Sequence, residues 1–269
     1  MALLESITRG NRRLNRLFFP EERVRYVHRF RELARNLSGD GTLVLHLGSG
    51  PVDLGADLET GRDGTALINL DLGLHDLQRN PGSWKVCADA GRLPFGQDRF
   101  DAICSEHVFE HFAAPEQVLA ECFRVLKPGG SLVVSGPNGT SYIALAARFT
   151  SLEFHDSVRY LNREGNEETC DGFRTFYRFS TPRTIRRLAR QSGFEVALVE
   201  KFVGEPCYTT FLPGLHPLFV AFHLVLEKLS PWLGFHITAV AVLRKPHQHS
   251  RADFQRLPAE QVQVEVGAH

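Results

Sequence analysis

Five short apolar runs punctuate the first half of the chain: TLVLHL (42–47), ALINLDL (66–72), WKVCADA (84–90), FDAICSEH (100–107) and SLVVSGP (131–137). Such runs, bounded by turn residues, have the pattern of strands buried on both faces. Between the last two, PEQVLAECFRVL (115–126) places its apolar residues at helical spacing, and KPGG stops it. A second helix is predicted over 181–194, with Thr181 as N-cap, Pro182 at the first helical position and Gly193 ending it. Strands EVALVEKF (195–202) and HITAVAVLRK (236–245) follow. Continuous apolar strands separated by helices predict an α/β domain whose parallel sheet is covered by helices on both faces.

The flanks read differently. Residues 1–37 form one or two amphipathic helices broken at Pro20, an N-terminal helical extension ahead of a domain over 38–245. Two segments, 138–180 and 203–235, fall outside the alternation and are rich in Phe, Tyr, His and Arg. They are expected as insertions over the open end of the sheet, where substrates bind. The first carries His155, Asp156, Arg159, Tyr160, Arg174, Tyr177 and Arg178; its arginines either clamp an anionic group or lie on the surface. The second carries the stripe Phe211, Leu215, Phe219, Phe222 and Leu226, expected as core or lid packing. Residues 246–269 read as a flexible tail.

Composition narrows the partners. The 269 residues hold 31 basic and 31 acidic side chains, so no overall field for nucleic acid exists and no stable nucleic-acid partner is expected. Arginines are nevertheless dense before residue 40, from Arg9 to Arg35. They mark a solvated helix face, with an acidic partner or peripheral membrane contact as the secondary reading. The stretch LHPLFVAFHLVLEKL is interrupted by His216, Pro217, His223, Glu227 and Lys228. It falls short of the ~20 apolar residues of a bilayer span. Five scattered cysteines without metal-ligand spacing read as reduced thiols of a cytoplasmic protein. The N-terminus has no apolar run of a secretory signal.

The first strand ends in Gly48-Ser49-Gly50, where backbone can approach a ligand closely. Asp53 stands at the third-glycine position of the dinucleotide fingerprint, and Asp71 follows Gly50 by 21 residues, placed to accept from ribose hydroxyls. Asp89 and Ala90 end the third strand, and Ser105 to His107 end the fourth. These features fit NAD as well as other adenosine ligands. Taken with GRLPFGQDRFDAICSEHVFEHF, VLAECFRVLKPGGSLVVSGPN and YRFSTPRTIRRLARQSGFEV, they resemble the class I S-adenosylmethionine-dependent methyltransferases, in their small-molecule branch. The resemblance covers roughly residues 40–202 and the last strand.

That resemblance implies a Rossmann-like seven-stranded, mostly parallel sheet with an antiparallel last strand, and S-adenosyl-L-methionine as cofactor. It assigns Gly48, Ser49 and Gly50 to the methionine and ribose side, Asp71 to the ribose, Leu72 to the face beneath the adenine, Asp89 and Ala90 to the adenine edge, and Ser105 to the methionine part. The chain departs from the family at His46, where an Asp or Glu helps anchor the methionine ammonium, and at 51–57, which lack a good first helix. The absent third glycine suits a cofactor without a pyrophosphate.

The implied function is methylation of a small-molecule acceptor, at oxygen ahead of nitrogen or carbon. His107 and His111 are the candidate catalytic residues, with His107 the first candidate base. With Glu110 they stand at i, i+3 and i+4, one face if the segment is helical. Relatives with Glu-x-x-Glu-His at this point bind a divalent ion; here His107 replaces the first Glu and no metal is expected. The rivals are an NAD-type oxidoreductase, which the missing third glycine opposes, and a non-catalytic binding protein of the same fold, which His46 keeps open.

Overall fold

The structure is a computed structural model. It describes residues 2–19, 25–37, 39–58, 64–141, 173–203, 209–210, 212, 214–233 and 236–247. His155, Asp156, Arg159, Tyr160, Phe211, Pro20 and the tail from 248 lie outside the described residues.

Two helices, α1 (Ala2–Phe18) and α2 (Arg25–Leu37), precede the sheet. Then follow β1 (Leu43–Leu47), β2 (Ala66–Asp71), α3 (Leu74–Arg79), β3 (Trp84–Cys87) and β4 (Phe100–Glu106). A 3-10 turn (Phe109–His111), α4 (Pro115–Val125), β5 (Leu126–Pro137), α5 (Pro182–Gln191), β6 (Glu195–Phe202), α6 (His216–Leu233) and β7 (Thr238–Arg244) complete the described elements. The seven strands form one sheet in the order β3-β2-β1-β4-β5-β7-β6. All pairings are parallel except those of β7, which runs antiparallel to both β5 and β6. The order reverses at β1 and β4, so the ends of those strands open onto the crevice where such sheets bind ligands.

Alternating side chains divide the sheet into two faces. Leu45, Ile103, Val134 and Leu243 pack with α4 and α5 through Leu119, Cys122 and Leu188. Their neighbours Val44, Ala102, Val133 and Val242 pack with Phe30 and Ala34 of α2. Helix α2, expected within a separate extension, is thus the layer that covers one sheet face. The described residues between β1 and β2 form turns and no helix; Leu54 and Leu58 from that stretch fill the space against α2. Arg29 ties α2 to the far edge through two bonds to Glu200 on β6, 2.9 and 3.2 Å.

Local signals read from the sequence recur in the helices. The Thr181 hydroxyl accepts from Thr184 N, and the Thr184 hydroxyl accepts from Thr181 N, a reciprocal box that fixes the start of α5. Gly193, with φ +88°, ends that segment. The fifth strand starts at Leu126 rather than 131, because the Lys-Pro-Gly-Gly stretch exchanges backbone bonds with Lys245 at Gly129 and Gly130. Helix α3 has no counterpart in the sequence reading; it is six residues long and buries only Leu77.

The described part of the 203–235 segment packs against α1. Asn11 donates to the carbonyls of Thr210 and Leu212, and His216 shares a 3.0 Å bond with Asn15. The expected stripe on α6 divides: Leu226 is buried, whereas Leu215 and Phe222 are exposed.

Candidate functional site

Beyond the ends of β1, β2 and β4 lies a cavity of about 550 Å³, within the size range of small-molecule sites. Its first wall is the loop after β1. The Leu70 carbonyl on β2 accepts from both Gly48 N and Ser49 N, which turns the chain off the sheet at that point. Gly48 has φ +71°, and a Cβ there would collide with Val108, which also faces the cavity. Only glycine lets the loop and the segment after β4 approach so closely. Ser49 presents a buried hydroxyl without a hydrogen-bond partner on this wall.

The second wall is the end of β2. Asp71 accepts from Gly50 N at 2.7 Å through one carboxylate oxygen and from Gly73 N at 2.8 Å through the other. Each oxygen keeps a further lone pair for a pair of hydroxyls. Leu72 follows with its side chain largely exposed along the cavity, an apolar surface suited to a flat base. Asp89 and Ala90, after β3, complete this side, and Asp89 also accepts from Gly91 N.

Two asparagines that the sequence reading missed hold the loop. Asn80, fully buried, donates to the carbonyls of Gly50 and Val52 and accepts from Gly82 N. Asn69 donates to Asp53 at 3.0 Å, and its carbonyl oxygen faces His46 Nδ1 at 3.2 Å. The residue at the third-glycine position therefore has a local partner. No periodicity marks either asparagine; each sits in a strand or turn as an ordinary polar residue.

The third wall is the segment after β4. His107 has φ +54°, and its backbone N–H donates to the Ser135 carbonyl. The segment is a 3-10 turn rather than an α-helix. His107 and Glu110 still meet, with Nδ1 and Oε1 3.5 Å apart. Burial opposes charge on the His107 ring, but Glu110 and Glu106 outweigh it and raise the pKa. Burial raises Glu106 itself above the usual carboxylate range, against the pull of His107 and Arg31. Tyr26 from α2 stands edge-on to His107, ring centroids 5.8 Å apart.

His111 lines the same wall; its Nδ1 bonds the Arg174 carbonyl at 3.2 Å, so that nitrogen carries the proton. The end of the first insertion is stitched to this turn: Phe176 N and Tyr177 N donate to the Glu110 carbonyl. Phe173 and Phe112 line the cavity beside His111. Arg178 bonds the Ala113 carbonyl and lies over the Phe176 ring; neither it nor Arg174 lines the cavity.

Of the residues assigned from the sequence, Gly48, Ser49, Gly50, Asp71, Leu72, Asp89, Ala90, His107 and His111 all line this one cavity. Ser105 does not. It is fully buried in β4, and the strand's alternation turns its neighbour Glu106 to the cavity instead. Among the described residues no cluster of three or more His, Cys, Asp or Glu is arranged for a metal ion.

The cavity's charge is one-sided. Its described lining includes Asp71, Asp76, Asp89 and Glu106 and no lysine or arginine. Burial pushes the His46 ring down to about 4, so it is neutral at pH 7. A pyrophosphate finds no lysine or arginine in the described lining, whereas a sulfonium and an ammonium find several carboxylates. The glycine cradle at Gly48, the unpartnered Ser49 hydroxyl, the Asp71 carboxylate and the exposed Leu72 fit S-adenosylmethionine.

This strand order, with its one antiparallel strand and a glycine loop facing an acidic crevice, defines the class I methyltransferase fold. Residues 45–134 match the family described as Methyltransferase domain. The chain is 34% identical over 136 residues to the biotin biosynthesis bifunctional protein BioHC of Cellvibrio japonicus, covering 48% of this chain and 26% of that one. It is 29% identical over 125 residues to the ubiquinone/menaquinone biosynthesis C-methyltransferase UbiE of Edwardsiella ictaluri, covering 44% of this chain and 48% of that one. The matches thus span less than half the length of these relatives. A solved S-adenosylmethionine-dependent methyltransferase from Methanosarcina mazei shares the fold with a TM-score of 0.51 at 14% identity, covering 80% of this chain and 98% of that one. Over residues 45–134 the chain is thus similar to a methyltransferase domain, and it shares its fold with solved S-adenosylmethionine-dependent methyltransferases.

Proposed function

We propose that the protein methylates a hydroxyl group of a small, flat, largely apolar acceptor, with S-adenosylmethionine as the methyl donor. The observation that carries this reading is that His107, paired with Glu110, lines an acidic cavity whose glycine loop and Asp71 suit the donor. Gly48, Ser49, Gly50 and Asp71 would hold its methionine and ribose parts, and Leu72, Asp89 and Ala90 its adenine. When bound, the donor supplies an electrophilic methyl group on a sulfonium.

The chain's own part is to align, exclude water and move one proton. Glu110 faces His107 Nδ1, so that nitrogen carries the proton and Nε2 is left to accept one from the acceptor hydroxyl. Phe112, Phe173 and the His111 ring give the acceptor side flat apolar walls. UbiE is named as a C-methyltransferase of quinone biosynthesis, so methylation at ring carbon of a similar acceptor is the second reading. The same base would remove a proton there too.

The test is calorimetric titration with S-adenosylhomocysteine and, in parallel, NAD. This is followed by incubation with labelled donor and a panel of phenols, catechols and hydroquinols. Binding of S-adenosylhomocysteine alone and a methoxy product support the proposal. A ring-methyl product moves it to the second reading, and saturable NAD binding alone overturns both.

A further inference from the structure

Helix α6 is apolar on its outer side as well as its inner one. The side it turns inward carries Val220 and Leu226 together with His216 and His223, all buried, and its outward side carries Leu218, Phe222, Val225 and Leu229, all exposed and continued by exposed Leu215 just before the helix. These five recur at alternating spacings of three and four residues, one continuous stripe. Leu218 is 64% exposed and Val225 52%. A soluble surface helix normally keeps its outer side polar, and a contiguous apolar stripe of this length marks a contact surface.

The inner side packs on α1. Asn11 and Asn15 on α1 and Phe19 just after it meet Thr210, just before α6, and then His216 and His223 on α6, in that order, so α1 and α6 run side by side in the same direction. His216 is bonded at both ring nitrogens, to Asn15 and to Thr209, each at 3.0 Å. The His216 ring is satisfied inside the pair beside buried Val220 and Leu226, and a second apolar stripe faces out.

Charge selects the occupant. Helix α1 holds Arg9, Arg12, Arg13 and Arg16 against a single Glu5, with Arg9, Arg13 and Arg16 exposed. Exposed Leu17 and Phe18 extend its end, while on α6 Glu227 and Lys228 balance, so the positive charge belongs to α1. A second copy docked through this face by a two-fold axis would pair the patch with itself and bring arginine against arginine. An anionic bilayer surface receives the stripe among its acyl chains and the arginines among its headgroups. No described helix is long and apolar enough to cross a membrane, so the contact lies in the surface plane.

We propose that the outward faces of α6 and α1 form a docking surface for an anionic phospholipid bilayer. The proposal does not depend on the acceptor or on turnover, because its readout is binding.

The test is co-sedimentation of the full chain with vesicles of phosphatidylcholine alone and of phosphatidylcholine mixed with phosphatidylglycerol, alongside light scattering for oligomeric state. The expected result is binding to the mixed vesicles at least about tenfold stronger than to the neutral ones, weakened by salt. Leu218→Ser with Phe222→Ser, and separately Arg9→Glu with Arg13→Glu, should each weaken it by about tenfold or more. Both variants should keep the wild-type melting temperature and S-adenosylhomocysteine affinity, since these residues are exposed and lie outside the cavity. Equal binding to both vesicle types overturns the proposal, as does no binding to either. A dimer dispersed by Leu218→Ser, without vesicle binding, overturns it in favour of a second copy.

Discussion

His46 Nδ1 lies 3.2 Å from Asn69 Oδ1, and the amide nitrogen of that same asparagine is committed to Asp53. The asparagine oxygen must therefore accept, the His46 Nδ1 must carry the proton, and Nε2 keeps its lone pair. A ring near the end of β1 thus offers a neutral acceptor where the family resemblance leads one to expect a carboxylate. With burial holding the ring down to about 4, it stays neutral throughout the physiological range.

Stability should follow that ring. In the unfolded chain His46 takes up a proton near pH 6.5, whereas the folded chain resists until about 4. Between those values the unfolded state binds more protons, so stability is full above 6.5 and falls as pH drops through the window. The loss approaches ~3 kcal/mol at its acid end. Urea denaturation of the wild type and of His46→Gln at pH 7 and pH 4.5 measures it; an identical decline in both proteins would falsify the assignment.

Asp71 bears on both the loop and the cofactor. Asp71→Ala should weaken S-adenosylhomocysteine binding by more than about tenfold, because the carboxylate proposed to hold the ribose hydroxyls and its bonds to the backbone N–H groups of Gly50 and Gly73 are lost together. Asp71→Asn keeps one acceptor and should fall between the two in calorimetry. An unchanged dissociation constant in the alanine variant would remove the ribose role.

Gly48 tolerates no side chain. Gly48→Ala must hold a left-handed backbone and displace Val108. It should destabilise the protein by about 2 kcal/mol or more and impair cofactor binding with it. Val108→Ala in the same chain should restore part of the stability but not the backbone cost. Thermal melts of the two variants measure the division.

His107→Gln should lower turnover by about a hundredfold or more while leaving cofactor affinity within a few-fold of wild type. The wild-type rate should fall on the acid side as the ring protonates, with a midpoint above the ordinary histidine value, because Glu110 and Glu106 raise it against burial. Glu110→Gln removes part of that support and should move the acid limb to lower pH. A profile that stays in place in Glu110→Gln would show that the pair does not govern the reaction.

Much of the core and most of the cavity were legible along the chain. The runs ending at Leu47, Asp71 and Glu106 are strands because each is short, apolar and closed by turn residues. The site residues at their ends follow from where parallel strands stop. Ser105 was misplaced by one position, since a strand's period of two makes a single residue decide which face a side chain serves. The split of the stripe on α6 was equally invisible, because helical spacing groups side chains without saying which group turns inward.

The sequence by itself determined what is local: the strands, the capping box that opens α5, the glycine turn after β1 and the carboxylate 21 residues beyond it. These depend on the spacing and conformational freedom of near neighbours. The tertiary structure alone decided which surfaces meet. It laid α2 over a sheet face that has no described helix between β1 and β2, and set Tyr26 beside His107. It linked His46 to Asp53 through Asn69, and left the cavity's described lining acidic without a lysine or arginine. Each of these joins residues distant in the chain, and their partnership is fixed by the burial of the sheet's two faces rather than by any repeat in the sequence.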